Sequence, residues 1–302
     1  MIFNFSRALS ELAGHEVGGR LLASAPPSQL AQVATWIADD DLGGLATGIG
    51  AAADRLGLRV EAGRFAARHI EHLLWCEQRK ALWRSGRIRS RAAIGLKLRL
   101  RGRRHLRATA RSPTILISPM VASFEDVLWI LRDALGERRL AVYGEGLSRD
   151  GVFAQVGTVI DLDSIALVGS STAGTREILR TLAGNGVFVT YPDFVYAGHK
   201  AVSVQFLGMA WPFSSSFISL CARGGTMLLP GALKRDGDNL SLHFEAPVEV
   251  AGPASGRSDP RWSQRLVGAT VARLLERLIL SNPEQWALLT TVVAQCHQRA
   301  TA

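Results

Sequence analysis

The sequence predicts an α/β fold: a mixed, mainly parallel central sheet flanked by helices, preceded by an N-terminal helical region. Three observations carry this. Helical periodicity dominates the first ninety residues, short apolar runs alternate with amphipathic stretches after Arg91, and the hydrophobic content of 47% over 302 residues suffices for a full core. The expected division is a helical region over 1–92 packed on an α/β domain over 93–302.

The elements follow in order. Pro26-Pro27-Ser28 opens a helix through Leu30, Val33, Ala34 and Ile37 that closes near Asp39-Asp40-Asp41. From about Val60 to Trp83, residues Ala66, His69, Ile70, Leu73, Leu74 and Cys76 form one apolar helical face. Leu96-Lys-Leu-Arg-Leu-Arg101 alternates strictly, as an edge strand with cations outward does. A short helix is expected around Arg104 to Ala110, then a buried strand at Ile115–Ile117, opened by Pro113. Helical spacing returns from Glu125 to Leu135, followed by a strand at Leu140–Tyr143. A helix from Gly174 to Leu182 stops at Gly184-Asn185-Gly186. Strands are expected at Val187–Tyr191, Thr226–Leu229 and Leu240–Phe244, and a closing amphipathic helix from Arg261 to Leu280.

Charge is placed unevenly. Between Arg79 and Arg111 lie thirteen Lys/Arg and no Asp or Glu, so the remainder of this +9 chain carries about −4. A stripe of this kind either faces water or meets an acidic surface: nucleic acid, an anionic membrane, or an acidic carrier protein. Nucleic acid ranks last, because Trp83 is the lone aromatic in the stripe and no recognition motif is present. Cys76, Cys221 and Cys296 are odd in number and lack pairing or ligand spacing, so neither a disulfide framework nor a zinc site is expected. No apolar run of spanning length and no signal-peptide core is found, which places the chain in the cytoplasm, with at most peripheral membrane contact.

Four blocks carry a resemblance. Thr114-Ile-Leu-Ile-Ser-Pro-Met-Val-Ala-Ser-Phe-Glu125 reads as strand, loop and helix, preceded by Arg104-His-Leu-Arg-Ala-Thr-Ala-Arg111. Gly174 to Asp193 reads as helix, glycine turn, and strand ending in Tyr191-Pro-Asp193; Val204-Gln-Phe-Leu-Gly-Met-Ala-Trp-Pro-Phe-Ser214 and Leu280-Ser-Asn-Pro-Glu-Gln-Trp286 follow. In this order the blocks resemble the bacterial lipid A lauroyl/myristoyl acyltransferases of the lysophospholipid acyltransferase superfamily, from about Leu96 onward. The resemblance implies acyl transfer from an acyl carrier protein or coenzyme A thioester to a hydroxyl or amine, with the thioester as co-substrate and no cofactor or metal. The family's strand leads into His-x-x-x-x-Asp/Glu. Here Glu125 is present, and Met120 stands where the histidine belongs.

A thioether cannot act as the base. His72 and Glu77 match the spacing, but five residues along a helix separate them by about 140° round its axis. His199, after Tyr191-Pro-Asp193, is either a spare imidazole near the cleft or a surface loop residue. Glu125 is either a base raised by burial or a helix N-terminal carboxylate. Asp193 is either a working carboxylate at a strand end or the cap of a turn. The candidate catalytic residues are thus Glu125 and Asp193, expected to border one cleft at the ends of neighbouring strands. Met120, Ser123, Arg176, Tyr191, His199 and Ser214 are candidate substrate contacts; Ser214 equally suits a helix cap, and Arg176 an exposed helix position. Arg99, Arg101, Arg103 and Arg104 are candidates for carrier docking. The family's Asp-Gln pair is Asp193-Phe194 here, and its N-terminal anchor is replaced by helices interrupted at Gly43-Gly44, Gly48 and Gly50. The function expected is an acyltransferase-like enzyme that serves a small acceptor without histidine, in specialised metabolite biosynthesis. The alternatives are a non-catalytic acyl or carrier-protein binding module, and a lipid acyltransferase with a displaced base.

Overall fold

The structure is a computed structural model that describes residues 21–39, 45–90, 92–121, 123–144, 156–194, 200–222, 225–237, 239–250 and 260–289. It divides into two compact units: Met1–Gly95 with Val121–Val127 and Asn282–Ala302, and Leu96–Met120 with Leu128–Ser281. Asp40, Asp41, Gly43, Gly44, Arg91, His199 and Cys296 lie outside the described residues.

The first unit is helical. Helix α1 (Pro27–Asp39) buries Leu30, Ala34, Ile37 and Ala38, the stripe that its 3,4 spacing requires. It packs on α3 (Ala62–Arg84), as do α2 (Leu45–Arg55) and the short 3-10 turn Pro283–Gln285. Glu61 caps α3, its two carboxylate oxygens accepting from the Gly63 and Arg64 amides at 3.0 and 2.9 Å. No helix among the described residues is long and apolar enough to cross a membrane.

The second unit is α/β. Its strands are β1 (Lys97–Arg101), β2 (Thr114–Ile117), β3 (Leu140–Tyr143), β4 (Ile165–Val168), β5 (Val187–Thr190), β6 (Ala201–Phe206), β7 (Met209–Ser214), β8 (Met227–Asp236), β9 (Asn239–Phe244) and β10 (Val248–Glu249). The main sheet runs β1-β9-β8-β2-β5-β3-β4, with β10 paired to β8. From β8 to β4 every neighbour on this path is parallel. The β8–β9 hairpin adds the antiparallel step, and β1 pairs parallel to β9 at the edge. Sequence and position agree: β2 and β5 are buried at all four residues, as strands covered on both faces must be, whereas β1 shows only alternate half-buried leucines.

Helices α4 (Arg103–Ala108), α5 (Phe124–Leu135), α6 (Thr172–Ala183), α7 (Ser215–Cys221) and α8 (Pro260–Leu280) complete the order. Helix α6 stops as its glycine signal requires, with Asn185 at φ 55° and the Gly186 amide returning to Thr181 O at 2.8 Å. Cys76 and Cys221 are buried free thiols.

Three features were not anticipated as strands, and one of them, β10, is only two residues long. β4 is four residues long and flanked by polar turns, too short to show a period. The β6–β7 hairpin contains Pro212, which fits only because this two-stranded ribbon leaves one side of each strand unpaired. Its turn, Leu207-Gly208 with φ of 50° and 72°, has the positive angles of a tight hairpin. Phe206 packs edge-to-face on Trp211 and Phe213, with ring centroids 5.8 and 5.5 Å apart.

Candidate functional site

Parallel strands of an α/β sheet deliver side chains to one crevice at their carboxyl ends. Here the ends of β3, β4 and β5 bring Tyr143, Gly169 and Thr190 together around a cavity of about 160 Å³. α6 and α7 close it. Gly174 in the first turn of α6 lets that helix press against the exit of β4, since a Cβ there would stand 2.3 Å from Gly169 O. Ser171 caps α6 by accepting from the Gly174 amide at 3.0 Å, and Ser214 caps α7 by accepting from the Phe217 amide at 3.4 Å.

The walls are apolar and aromatic, from Phe188, Phe194 and Phe217 with Ile178, Leu179 and Leu220. Hydroxyls supply the polarity, from Thr190, Tyr191, Ser214 and Ser216 among others. Among the described residues, no carboxylate, imidazole, amine or guanidinium lines it.

The segment 191–194 has two sides. Tyr191, Pro192 and Phe194 face the cavity, while Asp193, only 1% exposed, turns away. Its Oδ2 accepts from the Met120 amide at 3.3 Å and its backbone carbonyl accepts from the Trp211 indole at 2.9 Å. Strand register explains the meeting: Ile117 pairs with Thr190, and the Ser118 amide donates to Thr190 O at 3.2 Å, so the two chains leave the sheet together. Met120 itself is half-buried.

The remaining candidates fall in three places. Ser123 and Glu125 belong to the helical unit. Ser123 is fully buried; its hydroxyl donates to Asp126 at 2.9 Å and accepts from the Asp126 amide at 3.2 Å, the position of a helix cap. Glu125 is buried, and its Oε2 has no hydrogen-bond partner among the described residues. Burial pushes its carboxyl above the usual range; its own backbone amide pulls the other way, Asp126 adds to the rise, and Lys80 and Arg84 oppose it. Arg176 is exposed on α6 beside the cavity residue Thr175 without lining the space. Arg99 and Arg101 project from the open face of β1, and Arg103 and Arg104 are exposed on α4. His199 lies outside the described residues.

Sequence reasoning missed Asp126. It is fully buried, receives Arg79 through two guanidinium nitrogens at 2.8 and 2.7 Å, and accepts from the Trp83 indole at 3.0 Å. Its signal was Ser123-x-x-Asp126, a capping-box spacing. Also missed were Tyr143, Phe188 and Thr190, which become neighbours only through the crossovers of the sheet. Among the described residues no group of His, Cys, Asp and Glu could hold a metal ion. Neither family models nor curated proteins match this chain.

Proposed function

We propose that this chain is an acyltransferase-like enzyme that moves an acyl group from a carrier-protein or coenzyme A thioester to a small acceptor without a histidine base. The observation that supports this best is the hydrogen bond between the Met120 amide and Asp193, beside a hydroxyl-lined cavity at the carboxyl ends of the strands. The two segments that resemble the acyltransferase motif leave neighbouring strands and lock to each other, yet the side chain at the base position cannot take a proton.

Chemistry of this kind suits an acceptor that is already nucleophilic. A neutral amine attacks the thioester carbonyl, the C–N bond forms as the C–S bond breaks, and the amine's proton leaves with the thiolate. Hydroxyls such as those of Ser214, Ser216 and Thr190 are the donors at hand for the carbonyl oxygen. Positioning supplies the larger part of the rate, up to about 7–11 kcal/mol for well-oriented partners. The exposed cations Lys97, Arg99 and Arg101 on β1 stand in register with Asn239, Ser241 and His243 of β9, a face suited to an acidic carrier protein. Carrier-bound and coenzyme A thioesters are cytoplasmic, which is where we place the reaction. Specialised metabolite biosynthesis, rather than bulk lipid assembly, is the setting that a small acceptor suits.

One observation favours a non-catalytic binding module instead: among the described residues, the cavity lining holds no group that titrates near neutrality. Intact-mass measurement on carrier-protein and coenzyme A thioesters, incubated with small amines and alcohols, separates the two readings. Acyl transfer supports the enzyme; tight binding without acyl loss supports the module.

A further inference from the structure

We propose that the cavity at the ends of β3, β4 and β5 binds a neutral aromatic ring carrying an uncharged hydrogen-bonding substituent, a phenol being the simplest example. It rests on the acyl-transfer reading only for which half of the reaction the ring enters; the binding itself does not depend on turnover.

Size is the first ground. A cavity of roughly 150 Å³ holds one benzene ring, and this one measures about 160 Å³. A saturated chain of a dozen carbons has about twice the carbon count of that ring and would have to leave about half of its length in solvent. Lining chemistry is the second. Phe188, Phe194, Phe217 and the rings of Tyr143 and Tyr191 offer edges and faces to an aromatic guest, worth about 0.5–1.5 kcal/mol per ring pair beyond area burial. Aliphatic guests gain the burial alone.

Polarity is the third. Thr190 on β5, Ser214 and Ser216 at the start of α7, and Ser219 one turn on put hydroxyls into the lining. Ser219 already accepts from Gln264 at 2.9 Å, which leaves its own proton to donate. A hydroxyl both gives and takes a hydrogen bond, so this lining matches a guest that does the same. Among the described residues no lining group neutralises a charge, and an ionised guest would lose part of its hydration without compensation from them. The ring therefore enters uncharged, as the aryl end of an acyl group or as the aryl body of an acceptor.

The test is calorimetric titration of the full chain with 4-ethylphenol, ethylbenzene, 4-ethylbenzoate, decanol and adenosine. 4-Ethylphenol is expected to bind about fivefold tighter than ethylbenzene, the factor one neutral hydrogen bond gives, and at least about tenfold tighter than 4-ethylbenzoate. Leu179→Trp, which fills the space from α6, should abolish binding; Leu220→Trp fills it from α7 should the first variant fail to fold. The double variant Thr190→Val with Ser216→Ala should bring 4-ethylphenol and ethylbenzene to within about twofold of each other.

No binding of 4-ethylphenol, equal or tighter binding of decanol, 4-ethylbenzoate or adenosine, or retained binding in both filled variants would overturn the proposal. Ring binding without acyl transfer would leave it standing and remove the enzymatic reading; acyl transfer without ring binding would do the reverse. Where transfer occurs, 4-ethylphenol competing against 4-hydroxybenzoyl-coenzyme A assigns the ring to the acyl half. Competition against 4-hydroxyphenethyl alcohol, with acetyl-coenzyme A as donor, assigns it to the acceptor.

Discussion

The two units of this protein bury polar groups on opposite terms. In the helical unit, buried charge meets buried charge: Asp126 takes two bonds from Arg79, one from the Trp83 indole and one from the Ser123 hydroxyl, while Arg79 spends its remaining nitrogen on Ile94 O at 2.9 Å. In the α/β unit, the described lining of the half-open cavity is neutral, made of rings and hydroxyls, with room for a guest. A closed network of mutually satisfied charges specifies structure, because each member is costly to leave unpaired. An uncharged cavity at the strand ends suits a ligand, the role we propose for it. The difference teaches that density of chemically versatile side chains does not by itself locate the working site.

The sharpest way to break this contrast is Asp126→Ala. It strands the Arg79 guanidinium inside the helical unit and should cost about 3–5 kcal/mol of stability, read by denaturant unfolding. An apolar replacement of the pair, Arg79→Met with Asp126→Leu, should recover most of that loss.

Acid should act on the helical unit through two groups of opposite sign. His69 is fully buried with Nδ1 on Glu284 O at 2.8 Å, and burial lowers its pKa from 6.5 to about 4. The unfolded chain therefore binds the extra proton first, and stability present above pH 6.5 is lost as pH falls toward 4, by an amount on the order of 3 kcal/mol. Glu125 runs the other way. Its raised pKa makes the folded form hold a proton longer, so its contribution is present below the ordinary value of 4.5 and is lost as pH rises through the folded pKa. Glu125→Gln should consequently steepen the rise of stability between pH 4.5 and 6.5, measured by thermal unfolding at several pH values.

In the α/β unit, Gly174→Ala should push the start of α6 off Gly169 O. The expected cost is about 1–3 kcal/mol, with weaker ligand binding because Gly169 lines the cavity. The smallest stability effect is expected at the sheet edge. Reversing Arg99 and Arg101 to Glu should change stability by less than about 0.5 kcal/mol. It should nonetheless weaken carrier-protein association and flatten its salt dependence, and spare coenzyme A thioesters.

The fold was largely legible because its central strands are apolar throughout and its helices carry clear periods and stop signals, as at Gly184-Asn185-Gly186. β4, β10 and the β6–β7 hairpin escaped, the first two for shortness and the third for Pro212. The site was legible only along the chain. Tyr191 and Ser214, singled out from sequence, both line the cavity, and Met120 and Asp193 are joined by a hydrogen bond. Phe188, Thr190 and Tyr143 could not be read as its walls, since alternation tells which residues share a strand face but not which crossover covers it. Asp126 was overshadowed by its neighbour Glu125, whose spacing from Met120 fits the motif. What distinguishes the two carboxylates is Arg79, 47 residues away, and no local pattern announces that pairing.

The most direct measurement is single-turnover acyl transfer from a coenzyme A thioester to a small amine, followed by intact mass across pH, for the wild type and Met120→His. A wild type that transfers the acyl group, with a rate rising as the amine loses its proton and changed by less than about threefold in Met120→His, is the expected result. A wild type that binds thioester without turnover, beside a Met120→His variant that transfers or hydrolyses it, would contradict a histidine-free route and leave a scaffold whose catalysis has been lost.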